Sequence, residues 1–378
     1  MSVSEVSAKF REIFKRDPEV IAQAPGRVNL IGEHVDYNDG YVLPFAISAV
    51  TYSAIARRDD SEIHIASRQR PGELIKMNLT DLVNKSGSDW SRYILGTLWS
   101  LSIKNGVEIY IDGQVPLGSG LSSSAALECS VATSLNHLFG LGKSLPELAR
   151  ATQRGENEYV GVPCGIMDQS ISLMGRAGYA LLLDCRDLST RLIPVDFAGA
   201  GLRLLIIDTR AHHALVDGGY AQRRASCEKV SSLLAIKSLR DLSIEELQNK
   251  ENLLDPLSYR RARHVVTEIK RVEDSIAALK RADFTSFGEI LTQSHRSLRD
   301  DYKVSCPELD CAVETALKEG ALGARMVGGG FGGSAIALIR EEEAGKISSA
   351  IERAFADAGF VAPRFFDSLP SDGAKVIS

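Results

Sequence analysis

VEIYIDGQVPLGSGLSSSAALECSVATSLNHL, residues 107–138, is the stretch from which the fold is read. Val107, Ile109 and Ile111 alternate with Glu108, Tyr110 and Asp112, the period of a strand with one buried face. Further on, Leu127, Val131, Leu135 and Leu138 recur at helical spacing. A glycine-rich loop therefore joins a strand to a helix N-terminus. Gly118 and Gly120 allow close backbone approach, and the helix offers free N–H groups and the positive end of its dipole to an anion. No Lys-Ser/Thr pair follows the glycines, so this is not a Walker A loop. Serines 122 to 124 can cap the helix and still offer a hydroxyl to Mg²⁺. An ordinary capped helix entry fits the same letters.

Upstream, AVTYSAIARR (49–58) and EIHIAS (62–67), split by Asp59 and Asp60, predict a hairpin. Downstream, Ser144 and Glu147 form a capping-box pattern, and Leu148, Thr152 and Glu156 share one face of the helix it starts. The second half opens on an apolar strand, LRLLIID (202–208). Two long helices follow over 256–302, broken near Asp283 and Phe284. GARMVGGGFGGSAIALI (323–339) passes from loop to strand, then come a helix over 344–358 and an edge strand at RFFDSL. Strands and helices without strict alternation favour an α+β class. At 378 residues two lobes are expected, 1–196 and 197–378, divided near Asp196–Ala200.

Composition narrows the function. Hydrophobic residues make up 44% and charged residues 25%, as in an ordinary folded protein. A net charge of −5 argues against nucleic acid as a partner. No apolar run is long enough for a membrane helix, and the N-terminal residues show no secretory signal. The six cysteines form no C-x-x-C pair and read as reduced, mostly buried thiols of a cytoplasmic protein.

Four segments carry candidate chemistry. APGRVNLIGEHVDYNDGYVLPFAI (24–47) crowds Arg27, Glu33, His34, Asp36, Tyr37 and Asn38 onto one loop. Such density suits a polyhydroxylated ligand, because carboxylates accept from sugar hydroxyls; a solvated polar turn is the plainer alternative. PLGSGLSSSAALE (116–128) is a plausible triphosphate cradle. GGGFGGSA (328–335) costs backbone entropy, so a close approach of chain or ligand keeps it, or it is a tight internal loop. VPCGIMDQS (162–170) sets Asp168 behind Gly165, and a lone Asp on a loop is commonly a turn-former.

In this order, the segments resemble the galactokinases within the GHMP family of small-molecule kinases. GRVNLIGEHVDYNDGYVLP looks like the galactokinase signature, PLGSGLSSSAALE like the phosphate loop, and GGGFGGSAIAL like the third motif. The likeness extends through VPCGIMDQS, GGYAQRRASCE (218–228) and SDGA (371–374). It implies a two-lobed GHMP fold with the active site in the cleft, and ATP-dependent phosphorylation of the anomeric hydroxyl of galactose. Asp168 would accept the proton and Arg27 would stabilise the phosphoryl charge. Glu33, His34, Val35, Asp36, Gly165 and Tyr220 would form the sugar site. Gly118, Ser119, Gly120, Leu121, Ser122, Ser123 and Ser124 would wrap the triphosphate, with Ser67 and Trp90 near the adenine. Ser124 and Glu156 would hold Mg²⁺. A monomer is expected. Ser334 stands where relatives often carry cysteine, and Gly218–Tyr220 and His212–His213 depart near the sugar pocket. A non-catalytic sugar sensor, or a kinase of N-acetylgalactosamine, galacturonate or arabinose, are the alternatives.

Overall fold

In the computed structural model, which describes residues 2–88, 90–212 and 216–378, strand Val107–Gly113 lies inside a six-stranded sheet. It pairs antiparallel with Pro44–Arg57 and parallel with Glu62–Ser67. The expected hairpin of those two neighbours is therefore wrong: Val107–Gly113 is inserted between them. The connector opens to admit it, with Arg58 N–H donating to the Gly106 carbonyl and Gly106 N–H to that of Asp60. The true hairpin partner of Glu62–Ser67 is Arg70–Asn78, an edge strand. Its residues are exposed or half-exposed and include Pro71 and Gly72, so it shows no apolar alternation.

Val107–Asp112 is buried on both faces, not one. Helix Ser123–Leu138 brings Val131 and Leu135 into the cluster of Ile109 and Ile111. Helix Val3–Phe14 covers the other face, where Val6 and Phe10 cluster with Tyr110. Glu108 tolerates burial because Arg16 and Arg58 pair with it at 2.8 and 2.9 Å.

The second half forms a four-stranded sheet in the order Gly323–Val327, Gly332–Arg340, Leu202–His212 and Arg364–Asp367. The expected edge strand is the last of these. Residues 323–339 are two antiparallel strands around a glycine turn, not a loop leading into one strand. Helices Pro256–Lys280 and Phe284–Ser297 match the expected pair. The halves interlock. Lys375–Val376 pairs with strand Val20–Asn29 of the first sheet, and both large apolar clusters draw on both halves. The architecture is α+β.

Candidate active site

Strand Val20–Asn29 delivers Arg27 to the site. Its pairing with Pro44–Arg57 is irregular between Pro25 and Arg27, and at Gly26 a Cβ would lie 2.5 Å from the Leu121 carbonyl oxygen. Arg27 N–H donates to that oxygen at 3.0 Å, lacing the strand to the phosphate loop. The guanidinium is buried and bidentate. Nε and Nη2 each lie 2.8 Å from an oxygen of Asp168, and Nη1 donates to the Gly120 carbonyl at 2.5 Å. The Ser122 hydroxyl also donates to Asp168. Burial opposes the Arg27 charge, but Asp168, Glu33 and Asp36 outweigh it and raise its pKa.

The signature loop supplies one wall of a cavity of about 210 Å³, with Asp168, Gly165 and Tyr220 opposite. Glu33 is 2% exposed, pairs with the fully buried Arg325 at 2.9 Å and accepts from Gly328 N–H at 2.8 Å. Burial raises its pKa against the pull of Arg325 and Arg27. Asp36 is pushed up to about 7 by burial and by the neighbouring carboxylates of Asp168 and Glu33. Gly165 is required here, since a Cβ on it would fall 1.7 Å from Asp36 Oδ2.

His34 lines the cavity, yet both ring nitrogens are engaged within the protein. Nε2 lies 3.1 Å from the Gly329 carbonyl, which can only accept, so Nδ1 takes the Tyr37 hydroxyl proton at 2.8 Å. Burial lowers its pKa to about 3, so the ring is neutral. Val35, expected at the sugar, points into the core instead; a Cβ on Gly40 would lie 2.7 Å from its own. Tyr220 packs its ring 5.4 Å from His34 and 5.3 Å from Tyr37.

A second cavity of about 350 Å³ lies between the two glycine loops. Gly118, Gly120 and Ser122–Ser124 face Gly329–Gly333 across it. Ser119 and Leu121 are buried beneath, and the Ser119 carbonyl accepts from Ser334 Oγ at 2.6 Å, joining the halves. The expected serine cap does not form. Ser122 adopts φ 58° and spends its hydroxyl on Asp168, so helix Ser123–Leu138 starts without a side-chain cap. Its first N–H groups remain available to an anion. The two cavities share Arg27, Asp168 and Gly329.

Glu156 sits in a π-helical turn, Gly155–Val160, and is raised to about 7 by burial, against hydrogen bonds from Cys164 and Ser124. Glu128 beside it is held well above its ordinary value by burial and by Glu156, and its buried Oε1 has no partner among the described residues. Ser124 and Glu156 thus bring a hydroxyl and a carboxylate together, the oxygen donors a hard dication takes, although among the described residues no group of three or more His, Cys, Asp or Glu is placed to hold a metal ion. Ser67 and Trp90 line neither cavity. Ser67 donates to Gln69, and the buried Trp90 indole N–H has no partner among the described residues. His213 and the side chain of His212 lie outside the described residues.

Sequence reasoning missed Arg325, His264 and Glu268, all in the second half and all fully buried. An arginine inside the apolar strand Gly323–Val327 was the one available signal, since a buried charge requires a partner.

Fold and paired cavities define a small-molecule kinase of the GHMP class: residues 92–176 match the GHMP kinases N terminal domain and residues 275–357 the GHMP kinases C terminal domain. Residues 8–57 match the galactokinase galactose-binding signature. Among relatives, the galactokinase of Streptomyces coelicolor is 48% identical, covering 98% of this chain and 97% of its own length. The human galactokinase is 40% identical over 99% and 96%. The crystal structure of Lactococcus lactis galactokinase complexed with galactose superposes with a TM-score of 0.95, at 36% identity and 99% coverage of both chains. The chain belongs to the galactokinase family. It is an enzyme, a kinase.

Proposed function

We propose that the protein transfers the terminal phosphoryl group of ATP to the anomeric hydroxyl of galactose. The observation that carries this reading is the Arg27–Asp168 pair at the junction of the two cavities, within reach of both substrates. Sugar bound against Glu33, Asp36 and Gly165 would present its hydroxyl to Asp168, which accepts the proton. Arg27 would meet the negative charge spreading on the transferred group, and the uncapped N–H groups of helix Ser123–Leu138 would hold the triphosphate. Little covalent work falls to the protein; alignment and charge stabilisation dominate. Ser124 and Glu156 would hold Mg²⁺, which neutralises phosphate oxygens when bound. His34 we assign to shaping the sugar wall, its ring nitrogens being already engaged.

The two lobes are taken as 1–196 and 197–378. A monomer in the cytoplasm completes the proposal, and six free thiols support a reducing compartment. Among the described residues no helix is long and apolar enough to cross a membrane. The deciding experiment is an ADP-release assay over galactose, glucose, arabinose, N-acetylgalactosamine and galacturonate. Galactose should lead in kcat/KM. Galacturonate should fail, its carboxylate facing those of Glu33 and Asp36. A preference for galacturonate would sink the assignment, and no turnover with any sugar would favour a sensor.

A further inference from the structure

Glu33 is held at more points than one binding carboxylate needs. Its side chain is fixed by Arg325 and Gly328. Its backbone is fixed separately, by helix Pro256–Lys280. His264 Nε2 donates to the Glu33 carbonyl at 3.1 Å. Glu268, fully buried on the same face one helical turn on, accepts at Oε1 from Gly32 N–H at 3.0 Å and Glu33 N–H at 3.3 Å. Ser294 Oγ donates to the same oxygen at 2.8 Å, and Arg271 Nε donates to Oε2 at 2.7 Å.

The turn so held is a demanding one. Gly32 sits at φ 101°, where a Cβ would meet the Tyr41 carbonyl at 2.6 Å, and His34 at φ 62° is left-handed without being glycine. Such backbone persists only where its surroundings over-determine it. Two adjacent N–H groups pointing inward need an acceptor, and a neutral one would be weaker than a carboxylate. Burial works against the charge of Glu268, but Arg271, His264 and Arg325 outweigh it and bring its pKa to about 2. It is an anion at any working pH.

We propose that Glu268 is a positioning residue for sugar selection, clamping the Gly32–Glu33 backbone so that the Glu33 carboxylate meets one particular hydroxyl. It touches neither substrate, and it rests on the assignment of the Glu33 cavity as the sugar site. The hydrogen bonds of Glu268 run to Gly32, Glu33, Arg271 and Ser294, so the effect is expected first on the sugar side.

The test is steady-state kinetics of the full-length Glu268→Gln enzyme, with the parent assayed on the same sugars. An amide keeps the shape but must turn either a donor toward Gly32 and Glu33 or its weaker oxygen toward them and a donor toward Arg271. We expect the galactose KM to rise about 10- to 100-fold, the scale of a reacting group misplaced by a fraction of an ångström to one ångström. The ATP KM should stay within about twofold, and the preference for galactose over glucose should shrink. Placing Glu268→Gln on Glu33→Ala provides the decisive arm. If Glu268 acts through Glu33, the second change adds nothing to the loss of selectivity. Additive losses, or equal losses for both substrates, would overturn the proposal. Should Glu268→Gln not fold, Ser294→Ala removes one donor from the same oxygen and must show the same KM split, at about two- to fivefold; a parallel change in both KM values there overturns it as well. A parent enzyme that does not use galactose would instead strike the sugar-site assignment.

Discussion

The two binding loops of this enzyme are built from opposite materials. The proposed phosphate side is backbone: glycines at positive φ, an uncapped helix start, and serines whose neighbours Ser119 and Leu121 are turned inward. The proposed sugar side is side chain: the buried Glu33 and the half-buried Asp36 and Asp168 line one cavity, with Arg27 and Arg325 from two different strands paired to Asp168 and Glu33. The contrast follows from the ligands. A triphosphate presents the same charged oxygens in every kinase of this class, and amide N–H groups serve them without selectivity. A hexose is known only by the directions of its hydroxyls, and discriminating among them takes acceptors held rigidly in place.

Asp168→Asn should break the contrast at its junction. Turnover is expected to fall by about 10² to 10⁴ while binding of a nucleotide analogue is retained. Near-normal turnover of the folded variant would remove Asp168 from the proton's path.

Two glycine substitutions sharpen the comparison. Gly165→Ala drives a methyl into the Asp36 carboxylate, so kcat/KM for galactose should drop by about 10² with the ATP KM unmoved. Gly333→Ala strains a residue at φ 82°, with a Cβ 3.2 Å from the Ser119 carbonyl oxygen, and should weaken ATP by about tenfold with galactose unmoved. Kinetics in which the two losses are exchanged, or shared, would dissolve the division of labour.

Acidity probes the sugar side through Asp36. With Asp36 at about 7, lowering pH from 8 to 6 cuts its ionised fraction by about tenfold, and the galactose KM should rise in proportion. Asp36→Asn should flatten the galactose profile, while any ATP dependence carried by Glu156, also at about 7, should persist in that variant. The linked stability runs the other way. A carboxyl whose folded pKa lies above its unfolded value near 3.8 stabilises the fold at acid pH and loses that contribution as pH rises through 7. The unliganded protein should therefore gain from Asp36 as pH falls from 8 toward 4, visible in Asp36→Asn as a flatter melting curve against pH.

The smallest effect is expected at the cation. Ser124→Ala should raise the Mg²⁺ requirement several-fold with little change in galactose affinity, because Mg²⁺ takes few protein ligands and each is felt. Overlaid metal titrations would withdraw Ser124.

The same division explains what the sequence disclosed. Glycine spacing between a strand and a helix marked the loop we assign to the phosphates, since a backbone cradle leaves its trace in glycines. The crowding of Glu33, His34 and Asp36 marked the sugar loop, but spacing says nothing of direction: Val35 turns into the core and His34 spends its nitrogens internally. The hairpin partner of Glu62–Ser67 was missed because an exposed edge strand needs no apolar alternation. His264, Glu268 and Arg325 were missed for a deeper reason. They act by meeting residues hundreds of positions away, and such pairing leaves no periodicity in either segment.

That separation also has a consequence in time. Gly32 and its anchor Glu268 stand 236 residues apart. At a synthesis rate of about 5–20 residues per second, the signature loop leaves the ribosome roughly 10–50 s before the carboxylate that holds it. During that interval the nascent chain carries a complete galactose signature with nothing to aim it. If Glu268 aims Glu33 as proposed, recognition of the sugar is among the later properties the growing molecule acquires, although its letters are among the first to be translated.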